Sequence, residues 1–402
     1  MEFNPVLCDR IRDRIAESPE GRITFAEYMD LVLYHPESGY YAAHVGKIGG
    51  EGDFITSPHL GADFGEMLAV QFSEMWEILG RPVPFQVVEM GAGQGLVAGD
   101  AIKYLHRYHR DCFAALEYVI VEKSRAMREL QQQRFAPLSR GGANLRWCSW
   151  EEIGADALVG CVFSNELVDA FPVHQIAIAD GELREIYAIA PPDDSSPAEG
   201  NDLFGEVTGE LSTPRLQEYF ELVGIDITSP AYPEGYRTEV NLAALDWMSE
   251  VANKLQRGYV LTIDYGYPAH RYYSPQRYQG TLQCYRQHRH HNNPYVWVGQ
   301  QDITAHVDFT ALERWGESCG LERLGFTQQA MFLMALGWGD RIAALSTREG
   351  MDIATALQRR EVLHEAIDPR GLGGFGVLVQ GKGLSEEEKG QGLKGLRIPP
   401  MG

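Results

Sequence analysis

The chain has 402 residues, of which 44% are hydrophobic and 10% aromatic, as in an ordinary globular protein of one large domain or two smaller ones. Its 35 basic and 56 acidic side chains give a formal charge of −21, and so acidic a surface repels phosphate backbones, which argues against nucleic acid as a partner. No apolar run approaches the roughly 18 to 20 residues of a membrane span.

The N-terminal stretch and the cysteines bear on the compartment. Residues 1–18 mix acids with arginines and lack the apolar core of a secretory signal, so we expect them to form a first amphipathic helix. The six cysteines are scattered without a C-x-x-C pair, which is typical of reduced thiols rather than of a disulfide framework. These features predict a cytoplasmic protein of bacterial type.

Residues 1–80 are predicted to be mainly helical, with a glycine-rich interruption. One helix begins after Thr24, a plausible N-cap with a glutamate three residues later, and a second amphipathic helix ends at Gly80. Between them, residues 45–57 have the composition of a mobile lid that orders over a cofactor, with a plain surface loop as the alternative. The expected substrate or lid contacts in this segment are Phe54, Thr56 and Ser57.

From Pro84 onward, apolar strands alternate with helices, which is typical of a parallel sheet in a doubly wound α/β fold. The predicted core strands, in chain order, are FQVVEM, EYVIVEK, NLRWCS, LVGCVFSNEL, GYVLTIDYGY, GLERLGFTQ and FGVLVQGKG. Between the fourth and fifth of them, at about 173–240, lie a predicted hairpin and an exposed polar loop. We therefore expect one domain over 81–383, with a basic, aromatic lid-like segment at about 267–300 and a disordered tail over 384–402.

The motif EMGAGQG, from Glu89 to Gly95, indicates the kind of cofactor. Its glycines are spaced G-x-G-x-G, Leu96 stands where a dinucleotide fingerprint needs its third glycine, and no Lys-Ser/Thr pair follows as in a P-loop. At the carboxyl end of a strand, Glu89 would repel a pyrophosphate but attract the ammonium of S-adenosylmethionine (SAM). The pattern predicts a SAM site, and a glycine turn with solvated carboxylates is the alternative.

Two later strand ends extend this prediction. Glu122 ends the next strand, where an acid can accept both ribose hydroxyls, and Asn165 follows the fourth strand, where it could hold the cofactor or orient an acceptor. Glu166 and Asp169 are three residues apart, so on a helical turn both would face one side and suit a guanidinium; acids that serve a helix dipole are the alternative. The predicted cofactor-binding residues are Glu89, Gly91, Ala92, Gly93, Gly95, Glu122 and Asn165.

Six separated motifs, spread over residues 24 to about 380, occur in a characteristic order: LYHPESGYY, GDFITSPHLGADFGE, VVEMGAGQG, SNELVDAFPV, LTIDYGY and GQQDITAHVDF. In this order they resemble the MidA-like family, whose mitochondrial members are protein arginine methyltransferases that act as assembly factors of respiratory complex I. The resemblance implies a class I, Rossmann-like SAM-dependent methyltransferase with a mostly parallel seven-stranded sheet, a helical N-terminal region and an insertion between core strands four and five. His59 and Leu60 depart from the family pattern.

The resemblance also implies methylation of arginine on a partner protein, by analogy a respiratory-complex subunit. Because a guanidinium stays protonated, carboxylates must localise its charge, and we assign this role to Glu166 and Asp169. Asp264 lies at the carboxyl end of the fifth strand near the same mouth, and His306 could accept a proton, with a backbone-satisfied turn histidine as the alternative. No metal is predicted, since the histidines within 288–291 lack ligand spacing.

Three functions remain open at the level of sequence. The chain could be a protein-arginine methyltransferase, an assembly or interaction protein that retains a SAM-binding fold, or a small-molecule methyltransferase. The glycine loop and both strand-end acids favour the enzyme, because a scaffold has no physical need for all of them. The sequence does not specify the oligomeric state, for which a homodimer is one option.

Overall fold

A computed structural model describes residues 3–43, 58, 61–191, 203–287, 289–345 and 353–399. The helices are α1 (Pro5–Glu17), α2 (Phe25–Tyr34), α3 (Tyr40–Ala43), α4 (Asp63–Ile78), α5 (Leu96–Tyr108), α6 (Arg110–Ala115), α7 (Arg125–Arg140), α8 (Arg215–Val223), α9 (Leu242–Lys254), α10 (Ala269–Tyr272), α11 (Phe309–Ser318), α12 (Gln329–Leu336), α13 (Trp338–Ala344), α14 (Ile353–Glu365) and α15 (Glu386–Gln391). The strands are β1 (Ile23–Thr24), β2 (Phe85–Met90), β3 (Leu116–Val121), β4 (Leu145–Cys148), β5 (Leu158–Asn165), β6 (His174–Ala179), β7 (Glu182–Ile189), β8 (Gly205–Gly209), β9 (Arg237–Val240), β10 (Leu255–Asp264), β11 (Gly266–Tyr267), β12 (Gln283–Arg286), β13 (Arg289–His291), β14 (Asp302–Thr304), β15 (Val307–Asp308), β16 (Glu322–Gln328) and β17 (Gly376–Lys382).

The chain divides into two compact units, each assembled from separate stretches of sequence. Unit 1 is drawn from Met1–Phe54, Val168–Trp247 and Gly266–Trp315. Unit 2 is drawn from Ile55–Leu167, Met248–Tyr265 and Gly316–Gly402. This division differs from the expected boundary at residue 80, because α4 packs against α5 within unit 2: a Cβ on Gly65 would lie 3.0 Å from the Cβ of Asp100.

Unit 2 is built around a mixed sheet with the strand order β16-β17-β10-β5-β2-β3-β4. The five strands from β10 to β4 run parallel, whereas β17 pairs antiparallel with β10 and β16 antiparallel with β17. A single apolar core joins α4 and α5 to one face of this sheet. The α/β fold predicted from the alternation of strands and helices is confirmed.

The strand order places a ligand crevice in unit 2. From β2 the chain runs outward through β3 to β4 and then returns to β5 on the other side of β2. In open α/β sheets, ligands bind at the carboxyl ends of the strands where the order reverses in this way. The loop after β2 and the carboxyl end of β5 therefore flank the expected crevice, and both carry residues predicted to bind the cofactor.

Unit 1 contains a sheet in which β1, β7, β6 and β9 follow one another and β8 pairs with β7. The predicted hairpin is β6 and β7, which turn at Asp180 and Gly181 with positive φ values of 57° and 73°. At the start of α2, the Thr24 hydroxyl accepts a hydrogen bond from the Glu27 backbone N–H at 3.1 Å, as the N-cap prediction requires. Within the described residues no helix is long and apolar enough to cross a bilayer.

The C-terminal segment corrects a prediction. Residues 386–391 form α15 with a capping box, and Leu393 is 3% exposed, whereas the composition of the tail predicts disorder. The backbone N–H of Lys394 donates to Glu74 at 2.7 Å, and that of Gly395 donates to Gln71 at 2.9 Å. The tail up to residue 399 is ordered because its backbone pairs with side chains of α4, a source of stability that apolar content does not measure.

Candidate functional site

The three glycines after β2 adopt left-handed backbone conformations, with φ values of 68° at Gly91, 51° at Gly93 and 75° at Gly95. A Cβ on Gly91 would lie 2.8 Å from Leu167, and one on Gly95 would lie 2.6 Å from Phe135. A Cβ on Gly93 would meet nothing within 4 Å. The first and third glycines thus permit close packing, whereas Gly93 borders open space that a ligand can enter.

Glu89 lies near the end of β2 and is 3% exposed. The hydroxyl of Tyr118 donates a hydrogen bond to its Oε2 at 2.8 Å. Burial raises the pKa of this carboxyl to about 7, although the bond from Tyr118 lowers it. A buried carboxylate of this kind gains most from a cationic partner, so its chemistry fits the ammonium of SAM.

Glu122 follows β3 and is half-buried. Its Oε1 accepts from the Ser124 backbone N–H at 2.9 Å, and its Oε2 accepts from the Gln131 side chain at 3.2 Å. Burial raises the pKa of this carboxyl, and the hydrogen bonds oppose that rise. The carboxylate is therefore held in one orientation, as a receptor for ribose hydroxyls requires.

Sequence reasoning missed Gln131, which is fully buried on α7. Its Nε2 donates to the carbonyl of Gly93 at 2.7 Å and to Glu122, and its Oε1 accepts from the indole of Trp147 at 3.0 Å. The helical spacing was a signal for this residue. Gln131 lies four residues after Met127 and four before Phe135, on the same line of the helix, and it is the polar member of that buried line.

Asn165 is the last residue of β5, on the other side of the crevice, and Glu166 follows it. The Asn165 Nδ2 donates to the Glu166 carboxylate at 3.0 Å, and the Asn165 Oδ1 is shut off from solvent with no hydrogen-bond partner among the described residues. Buried acceptors are rarely left unpaired, so this oxygen fits a donor from a ligand. Glu166 has a φ of 50°, and its backbone N–H donates to Ile263 at 2.9 Å. Such a backbone is unusual for a residue with a side chain and is concentrated at functional sites.

Asp264, at the end of β10, is fully buried. Its two carboxylate oxygens accept from the backbone N–H groups of Leu167 at 3.2 Å and Tyr265 at 2.9 Å. These bonds hold the loop after β5 against the end of β10. The predicted contact of Asp264 with substrate stays a prediction.

Asp169 and Glu166 are the two acids predicted to bind a guanidinium. Asp169 belongs to unit 1 and Glu166 to unit 2. Asp169 is 6% exposed and its carbonyl accepts from the Ala305 backbone N–H at 2.9 Å. Nearby, the hydroxyl of Tyr41 donates to buried Asp302 at 3.0 Å. Burial, and then the charges of Asp302 and Asp169, raise the pKa of Tyr41. Asp169 is thus part of a buried cluster of acids and tyrosines.

His306, also in unit 1, stacks on Tyr267 with ring centroids 5.2 Å apart. The guanidinium groups of Arg271 and Arg277 lie 4.2 Å and 4.4 Å from the centroid of the same tyrosine ring. Burial, followed by the charge of Arg277, lowers the pKa of His306 to about 4. The imidazole is therefore neutral at neutral pH and holds a proton weakly, which favours the structural alternative for this residue.

Several predicted residues lie outside the part of the chain that the structure describes, and one predicted loop is a strand. Phe54, Thr56, Ser57, His59 and Leu60 lie outside the described residues. So does His288, although residues 289–291 form β13, paired with β12, where a solvated loop was expected. Among the described residues no group of three or more histidine, cysteine or acidic side chains is placed to hold a metal ion.

The order reversal of the parallel strands, the open left-handed glycine loop and the strand-end acids fit a cationic nucleoside cofactor. A family model for S-adenosyl-L-methionine-dependent methyltransferases matches residues 67–327. The chain belongs to this family, its cofactor is SAM, and the resemblance to MidA-like proteins is confirmed.

Solved structures support the same conclusion. A Burkholderia thailandensis protein bound to S-adenosyl-homocysteine (SAH) is 31% identical, with a TM-score of 0.82 over 96% of this chain and 95% of that one. A native structure of a protein of the same superfamily and organism gives 31% identity and a TM-score of 0.81 over 98% and 95% of the two chains.

Two named relatives are similar to most of this chain. A Drosophila melanogaster protein named "Protein arginine methyltransferase NDUFAF7 homolog, mitochondrial" is 30% identical over 84% of this chain and 76% of its own length. The human "Protein arginine methyltransferase NDUFAF7, mitochondrial" is 29% identical over 81% of this chain and 72% of its own.

Proposed function

We propose that this SAM-dependent methyltransferase transfers methyl groups to arginine side chains of a partner protein. The observation that carries the proposal is Glu166, a carboxylate held in a left-handed backbone conformation directly after β5, beside the carbonyl oxygen of Asn165, which has no hydrogen-bond partner among the described residues. The names of the relatives support arginine as the acceptor. By analogy with the mitochondrial members of the family, a respiratory-complex subunit is the first class of partner to test.

The strand order supports assignment to class I of the SAM-dependent methyltransferases. The sheet reverses its order beside β2, and the residues that would hold the cofactor lie at the carboxyl ends of β2, β3 and β5 or directly after them. In this assignment Gly93 gives the cofactor room, Glu89 binds its ammonium and Glu122 its ribose. When bound, SAM supplies an activated methyl group.

The acceptor side requires charge localisation, because a guanidinium keeps its proton at neutral pH. Glu166 accepts N–H bonds from the guanidinium and turns one nitrogen toward the methyl group; Asn165, which donates to Glu166, fixes the direction of that carboxylate. The role predicted for Asp169, a buried carboxylate of unit 1, stays a prediction. Holding the reacting atoms in near-attack geometry accounts for most of the rate gain that such a site needs.

The test is transfer of isotope-labelled methyl groups from SAM to a protein extract of the source organism lacking this gene. We expect label in methylarginine after digestion and mass spectrometry. Glu166→Gln should abolish transfer, whereas Glu129→Gln, a change of the same chemistry at an exposed position of unit 2, should leave it intact. Both variants should still bind SAH, which shows that the fold is intact.

The other results discriminate between the alternatives. Label confined to the small-molecule fraction would indicate a small-molecule methyltransferase. SAH binding with no label in either fraction would indicate an assembly protein that retains the cofactor. Full turnover by Glu166→Gln would remove that residue from the mechanism.

A further inference from the structure

One buried side chain joins two loops that otherwise belong to different strands of unit 2. The glycine loop follows β2 and the loop of Glu122 follows β3. Gln131 donates from its single amide nitrogen to the carbonyl of Gly93 at 2.7 Å and to the carboxylate of Glu122 at 3.2 Å. Both acceptors belong to segments that contain predicted cofactor contacts, one beside the open space at Gly93 and the other at the expected ribose receptor.

The orientation of this amide is fixed by chemistry. An indole can only donate, so the Trp147 N–H at 3.0 Å requires that the amide oxygen of Gln131 face β4. The NH₂ group must then face Gly93 and Glu122, which offer only acceptors at these contacts, a carbonyl and a carboxylate. The reversed amide would place its oxygen against both acceptors and its NH₂ against a donor. The network is consistent in one orientation only.

Packing does not explain a glutamine at this position. The other buried residues of α7 are Met127 and Phe135, so an apolar side chain of similar length would continue the same stripe. Burying an amide costs free energy unless its hydrogen bonds are satisfied, and among the described residues the two cofactor loops and Trp147 satisfy them. The polar group is thus matched to the loops rather than to the core.

We propose that Gln131 is a positioning residue for the cofactor, which couples the carbonyl of Gly93 to the carboxylate of Glu122 so that both loops present one fixed geometry to SAM. A neighbour on the same helix acts in the same direction from the surface: Arg134 donates to the carbonyl of Gln94 at 3.0 Å. The inference rests on the cofactor role assigned to Glu122 under the proposed function. It does not depend on the identity of the methyl acceptor.

The chain offers its own matched controls, because Gln132 and Gln133 follow Gln131 and are exposed. Gln131→Met keeps the length of the side chain and removes all three hydrogen bonds. We expect the full-length Gln131→Met protein to bind SAH about tenfold more weakly in calorimetric titration, which corresponds to about 1.4 kcal/mol. Gln132→Met and Gln133→Met should remain within about twofold of the wild type.

A double-mutant cycle with Glu122→Gln separates positioning from general destabilisation. If Gln131 acts through Glu122, the second substitution should cost much less affinity for SAH when the first is already present. Losses that simply multiply would overturn the coupling. Equal SAH affinity for Gln131→Met and Gln132→Met would overturn the proposal altogether.

Gln131→Glu gives a second test, the pH dependence of SAH affinity, which a purely structural role would not alter. This variant can also be used if Gln131→Met fails to fold. At pH 8 the introduced carboxylate would repel Glu122, so SAH affinity should be lowest relative to wild type. As the pH falls to about 6, a proton shared by the two carboxyls restores a donor to Glu122, and the gap to wild type should narrow. A gap that is independent of pH would contradict the proposal.

Failure of this inference is distinguishable from failure of the proposed function. If the wild type binds SAH but no arginine is methylated, the acceptor assignment fails and the Gln131 comparison stands. If the wild type does not bind SAH, the cofactor site itself is refuted and the positioning role with it.

Discussion

The hydroxyl of Tyr118 donates a 2.8 Å hydrogen bond to the carboxylate of Glu89, and both side chains are buried in unit 2. Two opposing effects meet in this pair: burial raises the pKa of Glu89 to about 7, and the hydrogen bond limits that rise. The carboxyl predicted to bind the cofactor's ammonium is therefore close to half-ionised near neutral pH in the free protein.

We predict that SAH affinity increases with pH. Only ionised Glu89 attracts an ammonium, so affinity should increase by up to about tenfold from about pH 6 to about pH 7.5. Tyr118→Phe removes the bond that lowers the pKa and should move this dependence to higher pH. The matched control is Tyr259→Phe. Tyr259 belongs to the same sheet, and its buried hydroxyl has no hydrogen-bond partner among the described residues. Calorimetric titration with SAH across this pH range measures the affinity. An affinity that does not change with pH would exclude Glu89 as the ammonium receptor.

The same carboxyl predicts the opposite trend for the stability of the free protein. Its folded pKa of about 7 exceeds the ordinary value of 4.5, so its contribution is fully present below about pH 4.5 and is lost as the pH rises through about 7. Relative to Glu89→Gln, which cannot ionise, the wild type should lose about 2–3 kcal/mol of unfolding free energy between pH 5 and pH 8. Urea unfolding of both proteins at the two pH values measures this difference, and parallel behaviour would show that Glu89 is not buried as described.

Gly93→Asn should separate folding from cofactor binding. Asparagine tolerates a left-handed backbone better than most residues, and a Cβ at this position meets nothing within 4 Å, so the melting temperature should change little. The side chain would nevertheless occupy the open space, and SAH binding should weaken by at least about tenfold. Gly95→Ala is the contrasting variant: its Cβ would lie 2.6 Å from Phe135, and it should destabilise the fold. Retained SAH affinity in Gly93→Asn would mean that the cofactor does not pass this glycine.

The C-terminal segment should contribute to stability. Leu393→Ala removes a side chain that is 3% exposed and belongs to the core of unit 2, and it should cost about 2–5 kcal/mol of unfolding free energy. Ile398→Ala, at a position that is 88% exposed in the same tail, should cost less than about 0.5 kcal/mol. Equal stability of the two variants would return the tail to the disorder that its composition predicts.

Local patterns in the sequence are enough to predict the strands of the sheet, the SAM loop and the family. These are local properties: FQVVEM is an apolar run of strand length, and the spacing of Gly91, Gly93 and Gly95 excludes the phosphate-binding fingerprints within seven residues. The motifs that carry the family resemblance are short and contiguous as well. These motifs can be identified without knowledge of contacts between distant residues.

Tertiary structure alone decided which groups meet. Tyr118 donates a hydrogen bond to Glu89, which is 29 residues away in sequence, and Gln131 donates to Gly93, which is 38 residues away. The backbone of Gly395 donates to Gln71 across 324 residues. No local pattern encodes such pairs, because hydrogen bonds between elements depend on how strands and helices pack. The same packing buries His306 and lowers the pKa of its imidazole to about 4.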